Sequence, residues 1–75
     1  MSIVAVLGAG SWGTTLAIHL CQAGAEARLW GNVREDLDDM MGTRENRKFL
    51  SGIRLPDGVK VLHELETALE GADFM

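Results

Sequence analysis

Val6-Leu7-Gly8-Ala9-Gly10-Ser11-Trp12-Gly13-Thr14-Thr15-Leu16-Ala17 decides how this chain is read. Gly8, Gly10 and Gly13 fall at the spacing G-x-G-x-x-G. That pattern alone is weak, because glycine-rich turns match it often. It gains meaning when it follows a strand and opens a helix. Ser2 to Leu7 (SIVAVL) is a short apolar run rich in β-branched residues, as in a parallel strand covered on both faces. Trp12 to Ala23 then has helical spacing, with Leu16, Ala17, Leu20 and Cys21 on one face with Gly13. Gly24 stands where a helix ends, since glycine takes positive φ without steric cost.

Outward from there the alternation continues. Ala27 to Trp30 (ARLW) reads as a second strand, and Asp36 to Met41 as a short helix closed by Gly42. Residues 43–58 read as a polar loop ending in the turn Pro56-Asp57-Gly58. Val59 to Leu62 is a third strand, Glu64 to Leu69 a helix followed by Gly71, and Ala72 to Met75 the start of a fourth strand. Strands alternating with helices predict an α/β fold: a Rossmann-type parallel sheet, helices on both faces, cut at the start of the fourth strand. Its strand order should be 3-2-1-4, but the fourth strand has barely begun at Asp73-Phe74-Met75, so the outer edge of Ser2–Leu7 should be bare and prone to recruit other strands. With 75 residues there is one domain at most, a partial dinucleotide-binding domain over residues 1–75 with no second domain. A chain of this size buries only about 60% of its unfolded surface, so its core is small.

In such a fold each glycine has a task. Gly8 makes the tight turn, Gly10 lets backbone approach a pyrophosphate, and Gly13 lets helix and sheet pack closely. The helix N-terminus offers free N–H groups and the positive end of its dipole to that anion. A structural glycine turn is the competing reading. At the end of the second strand, where NAD-specific sites place an acid for the ribose 2′-OH, stands neutral Asn32. Asn32 itself does not repel a 2′-phosphate; Glu35 and Asp36 counter this but should sit in the next helix, and Arg34 is either a phosphate contact or a solvated surface charge. Trp12 packs over the cofactor or caps the core.

The remaining composition excludes more than it selects. Net charge is -4, which speaks against nucleic acid as a partner. Arg44, Arg47 and Lys48 are interleaved with Glu45 and read as a solvated loop. There is no charged side chain from Met1 to Ala25, but three glycines and several polar residues interrupt the apolar run, which argues against a targeting or membrane segment. A single cysteine, Cys21, excludes an internal disulfide and fits a reducing, cytoplasmic setting; it reads as a small buried hydrophobe. His19 and His63 lie apart, with no acidic or thiol partner at a metal-ligand spacing, and read as surface residues. Met40, Met41 and Met75 read as fillers at the core's edge.

At finer grain, GAGSWGTTLA, ARLWG, ENRKFLSGIRLPDGVKV and LEGADFM together resemble the bacterial NAD(P)-dependent glycerol-3-phosphate dehydrogenases over essentially the whole chain. Ser11-Trp12 within the glycine motif, Leu29-Trp30-Gly31, Asn46, Phe49-Leu50 and Leu55-Pro56 carry more of that resemblance than the glycines do. The resemblance implies NADP or NAD as cofactor, with contacts at Ser11, Trp12 and Asn32. It implies a parent that interconverts dihydroxyacetone phosphate and sn-glycerol 3-phosphate for phospholipid synthesis. The catalytic lysine and the substrate residues would lie beyond position 75, so substrate belongs to the full-length parent and this segment has no catalytic residue. The family's frequent His or Arg at position 32 is Asn here, and its frequent proline at 51 is Ser51. No membrane partner is implied, and a homo-oligomer is expected. Two alternatives stay open: a half-domain of another Rossmann enzyme using a flavin or a nucleotide sugar, and a non-binding chain that self-associates through its first strand.

Overall fold

The apolar run becomes β1 (Ile3–Leu7), one of the two inner strands of a four-stranded parallel sheet in the computed structural model, which describes residues 2–48 and 50–74. Around it follow α1 (Ser11–Gln22), β2 (Glu26–Trp30), α2 (Arg34–Thr43), β3 (Glu45–Asn46), β4 (Leu50–Arg54), β5 (Val59–Val61), α3 (Leu65–Leu69) and β6 (Asp73–Phe74). The four parallel strands stand in the order β5-β2-β1-β6. In terms of the strands read from sequence this is 3-2-1-4, as expected. β1 pairs with β2 from Ile3↔Glu26 to Leu7↔Trp30, and β5 pairs with β2 from Ala27↔Val59 to Leu29↔Val61.

Successive strand residues face opposite sides of the sheet. On one side Val6, Ala27, Leu29, Val59 and Val61 join Ala17 of α1 and Leu37 and Met40 of α2 in the buried core. On the other side Arg28 meets α3. Its Nη1 donates to the carbonyls of Glu70 at 2.6 Å and Thr67 at 3.1 Å, and its Nε to Glu26 at 2.9 Å. A charged residue inside a parallel strand is thus used as a cap: it satisfies the last carbonyls of a five-residue helix that has no basic residue in its own last turn. Arg28→Met keeps the apolar stem and removes these bonds. It should cost about 2 kcal/mol, read from urea unfolding; a change under about 0.5 kcal/mol, the range of an inert surface substitution, contradicts the capping role.

Several expectations are corrected. α2 does not end at Gly42. It runs through it to Thr43, and Arg44 closes it in the left-handed conformation at φ 57. A side chain is strained there, and the Arg44 guanidinium is tied down by two 2.7 Å bonds to the carbonyls of Pro56 and Val59. The polar loop contains the antiparallel hairpin β3–β4. A two-residue strand of Glu and Asn gives no alternating pattern to read. Its cations are not simply solvated: Arg44 is latched as above, Arg47 reaches Asp39 of α2 at 2.6 Å, and Lys48 reaches Asp36 at 3.4 Å. The Arg47 hydrogen bond holds the Asp39 carboxyl below the ordinary carboxylate range. Met40 is 1% exposed, a central core residue rather than an edge filler, because it follows Leu37 on the buried face of α2.

The outer edge of β1 is not bare either. β6 pairs with it at Val4↔Asp73 and Ala5↔Phe74, which removes the premise for self-association through that strand. His63 is also not without an acid: its Nε2 lies 2.5 Å from Asp38 Oδ1, while its backbone carbonyl accepts from Trp30 Nε1 at 2.9 Å. Cys21 is half-buried against the core, as expected, and its sulfur abuts Gly58. Among the described residues no helix is long and apolar enough to cross a membrane. The expectations for Phe49 and Met75 fall outside the described residues.

Candidate dinucleotide site

The turn from β1 to α1 is built by its three glycines, each for a different reason. Gly8 has φ +131, a conformation closed to L side chains, and its N–H donates to the Trp30 carbonyl at 2.6 Å. This bond fixes the turn to the end of β2. Gly13 sits against it so closely that an added Cβ would collide with the Gly8 carbonyl oxygen and stand 3.5 Å from Val6 Cγ1. Gly10, the residue preceding α1, is different. A Cβ there would meet nothing within 4 Å. Its bareness is not needed by the fold, which leaves open space beside the backbone.

That space belongs to a cleft of ≈ 260 Å³ lined by Gly8, Ala9, Gly10, Gly31, Asn32, Val33, Asp36 and Lys48. It lies beyond the C-terminal ends of β1 and β2, where open α/β sheets bind ligands. α1 begins at its margin with no side-chain cap and no acidic residue in the first turn. The N–H groups of Ser11, Trp12 and Gly13 have no carbonyl one turn behind them, so the positive end of α1 is uncompensated by the protein. A phosphate could take these donors without displacing any side chain.

Four sequence candidates thus hold distinct places: Gly8, Gly10 and Asn32 line the cleft, and Gly13 sets how closely α1 approaches it. Ser11 and Trp12 form the exposed first turn of α1. Trp12 is 77% exposed, so it does not cap the core, and its indole stands free beside the glycines. Arg34 is not brought in. It begins α2 outside the cleft lining and lies 4.0 Å from Glu64 in an exposed pair.

Sequence reasoning missed or set aside four contributors. Gly31 is buried, and a Cβ on it would stand 2.9 Å from that of Ala9, so β2 and the glycine turn touch there. Asp36 and Lys48 line the cleft from α2 and from the segment after β3. Their signal was a carboxylate one helical turn past Asn32 and a lysine in a segment dismissed as solvated. Asn46 is the fourth. It is 2% exposed, and its Nδ2 donates to the Ala9 carbonyl at 2.9 Å and to Thr14 Oγ1 at 2.7 Å. One side chain from the hairpin therefore holds both the glycine turn and the first turns of α1.

Known proteins match this arrangement over nearly all its length. The family model described as NAD-dependent glycerol-3-phosphate dehydrogenase N-terminus matches residues 3–75. The glycerol-3-phosphate dehydrogenase (NAD(P)+) of Chlorobium limicola is 46% identical over 72 residues, covering 96% of this chain and 22% of that protein. Its counterpart in Geobacillus kaustophilus is 46% identical over 95% of this chain and 21% of its own. The crystal structure of glycerol-3-phosphate dehydrogenase from Coxiella burnetii superposes with a TM-score of 0.88 at 38% identity, over 92% of this chain and 21% of that one. The Plasmodium falciparum structure, at 23% identity and a TM-score of 0.78 over 99% of this chain and 24% of that one, shares the fold. This chain thus spans about a fifth of the length of its relatives. By the family match over 73 of its residues (3 to 75), it belongs to the NAD-dependent glycerol-3-phosphate dehydrogenase N-terminal family.

Proposed function

We propose that this chain is the cofactor-binding portion of an oxidoreductase that interconverts sn-glycerol 3-phosphate and dihydroxyacetone phosphate with NADP or NAD. The observation that carries the reading is the open space at Gly10 beside an uncapped helix N-terminus. A glycine turn kept only for the fold would need Gly8 and Gly13; it would not need Gly10. The first N–H groups of α1 would hold the pyrophosphate, Asn32 would stand at the adenosine ribose, and Trp12 would cover the turn from outside. When bound, the nicotinamide supplies the hydride exchanged with carbon 2 of the substrate. The work of this segment is to hold the dinucleotide's phosphates and adenosine half in place. Relatives named for this dehydrogenase at 46% identity favour this reading over a flavin or nucleotide-sugar enzyme. We place the enzyme in the cytoplasm as a homo-oligomer without membrane or nucleic-acid partners, its product supplying the backbone of phospholipids.

Titration of the chain with NADPH, followed by quenching of the exposed Trp12, tests the reading. Because only the adenosine side of the site is built by these strands, affinity should be modest, with Kd ~0.1 mM or weaker. Gly10→Val fills the open space and should weaken binding at least tenfold, about 1.4 kcal/mol, while unfolding little sooner. A Gly10→Val chain that binds NADPH as the parent does contradicts the proposal.

A further inference from the structure

We infer that Lys48, held by Asp36, is the residue that admits the 2′-phosphate of NADP, and that the pair sets the choice between the two nicotinamide cofactors. This inference rests on the dinucleotide reading above. Asn32 marks the ribose end of the cleft, because it stands two residues past the end of β2, where ribose-binding acids stand in this fold. It brings no charge of either sign. The charges at that end come from elsewhere: Asp36 from the first turn of α2, and Lys48 reaching over from the segment after β3, with Nζ 3.4 Å from Asp36 Oδ2. Arg34, the nearer cation in sequence, pairs outside the cleft with Glu64. Lys48 is therefore the cation that lines the cleft among the described residues.

The two partners are unequal. The Asp36 side chain is 24% exposed and seated by its helix, whereas that of Lys48 is 59% exposed on a flexible four-carbon stem. An exposed ion pair of this kind is weak. A phosphate carries nearly two negative charges at neutral pH and three acceptor oxygens. It draws the ammonium toward itself, while Lys48 continues to screen Asp36. Without Lys48 the cleft would present Asp36 alone, which repels a 2′-phosphate and accepts a hydrogen bond from a ribose 2′-OH. Lys48 thus converts an NAD-type acid into a site tolerant of both cofactors.

Adenosine 2′,5′-bisphosphate and adenosine 5′-monophosphate isolate this effect, since they differ by the 2′-phosphate. Calorimetric titration of the chain should show the bisphosphate binding several-fold tighter. Lys48→Gln should lower that preference at least tenfold, chiefly by weakening the bisphosphate. The double variant Asp36→Asn with Lys48→Gln should return the ratio to about one, because attraction and repulsion are both gone. A ratio unchanged by Lys48→Gln, an equal loss for both nucleotides, or a parent without preference for the bisphosphate overturns the inference. Gly10→Val separates it from the reading beneath: if that variant weakens both nucleotides, the cleft binds them whatever Lys48 does. If neither nucleotide binds the parent chain, both fall together.

Discussion

Gly13→Ala should destabilise the chain by at least about 3 kcal/mol, because overpacking against backbone has no rotamer through which to relax. The added Cβ would collide with the Gly8 carbonyl oxygen and stand 3.1 Å from its carbonyl carbon. Gly8 cannot yield, since its positive φ and its 2.6 Å bond to Trp30 fix the turn to β2. α1 cannot yield cheaply either, because Thr14 and Ala17 are fully buried beneath it. A chain of this length has a total stability of about 4–11 kcal/mol, so the loss is a large share. The melting temperature should fall by about 12–24 °C. Gly10→Ala is the control. Its φ is -82 and its Cβ meets nothing, so it should cost no more than about 1 kcal/mol, the difference between glycine and alanine before a helix. Equal melting of the two variants would show that the glycines are interchangeable and that the packing argument is wrong.

The contrast between these glycines marks what the sequence could and could not disclose. Strand order, the helix after the motif and the place of Asn32 were legible because each rests on a local pattern: a β-branched run, a 3.6-residue period, a glycine at a turn. Gly8, Gly10 and Gly13 were legible as a set for the same reason. The hairpin β3–β4 was not, since its place against the rest of the fold is fixed by side-chain bonds to distant residues. Arg44 reaches Pro56 and Val59, and Asn46 reaches Ala9 and Thr14. Such bonds leave no period in the sequence, so the segment reads as polar filler. Arg34 and Lys48 show the same limit at the site itself. Proximity to Asn32 along the chain favoured Arg34, but a helix start points its side chain toward Glu64, and the hairpin delivers Lys48 instead. Likewise the fourth strand reads as a fragment too short to matter, yet two residue pairs place it on the edge of β1.

Asn46 carries the second large effect, and the order of its variants is the sharper test. Its amide nitrogen faces two acceptors, the Ala9 carbonyl and the Thr14 hydroxyl oxygen, and the carbonyl can be met only by a donor. Thr14 is fully buried and Asn46 nearly so. Asn46→Ala removes the donor and leaves these acceptors without it, away from water, at about 1–3 kcal/mol for each stranded group. Asn46→Asp preserves shape and volume but buries a charge and turns a carboxylate oxygen toward the Ala9 carbonyl, which can only repel it, a loss that a hydrogen bond from the Thr14 hydroxyl offsets only in part. It should therefore be the worse variant at neutral pH although it is the closer isostere, and it should recover part of the loss as acid protonates the new carboxyl and restores a donor. Steric reasoning alone predicts the opposite order. Because Ala9 lies between Gly8 and Gly10, both variants should also loosen the turn that meets the phosphates and weaken NADPH binding beyond what their melting temperatures account for. Combining Asn46→Leu with Thr14→Val removes a donor and an acceptor together, so the pair should cost less than the sum of the single changes. Urea unfolding of these variants at neutral and acidic pH decides the matter: if Asn46→Asp is the milder change at neutral pH, the hairpin holds the glycine turn by packing and not by its hydrogen bonds.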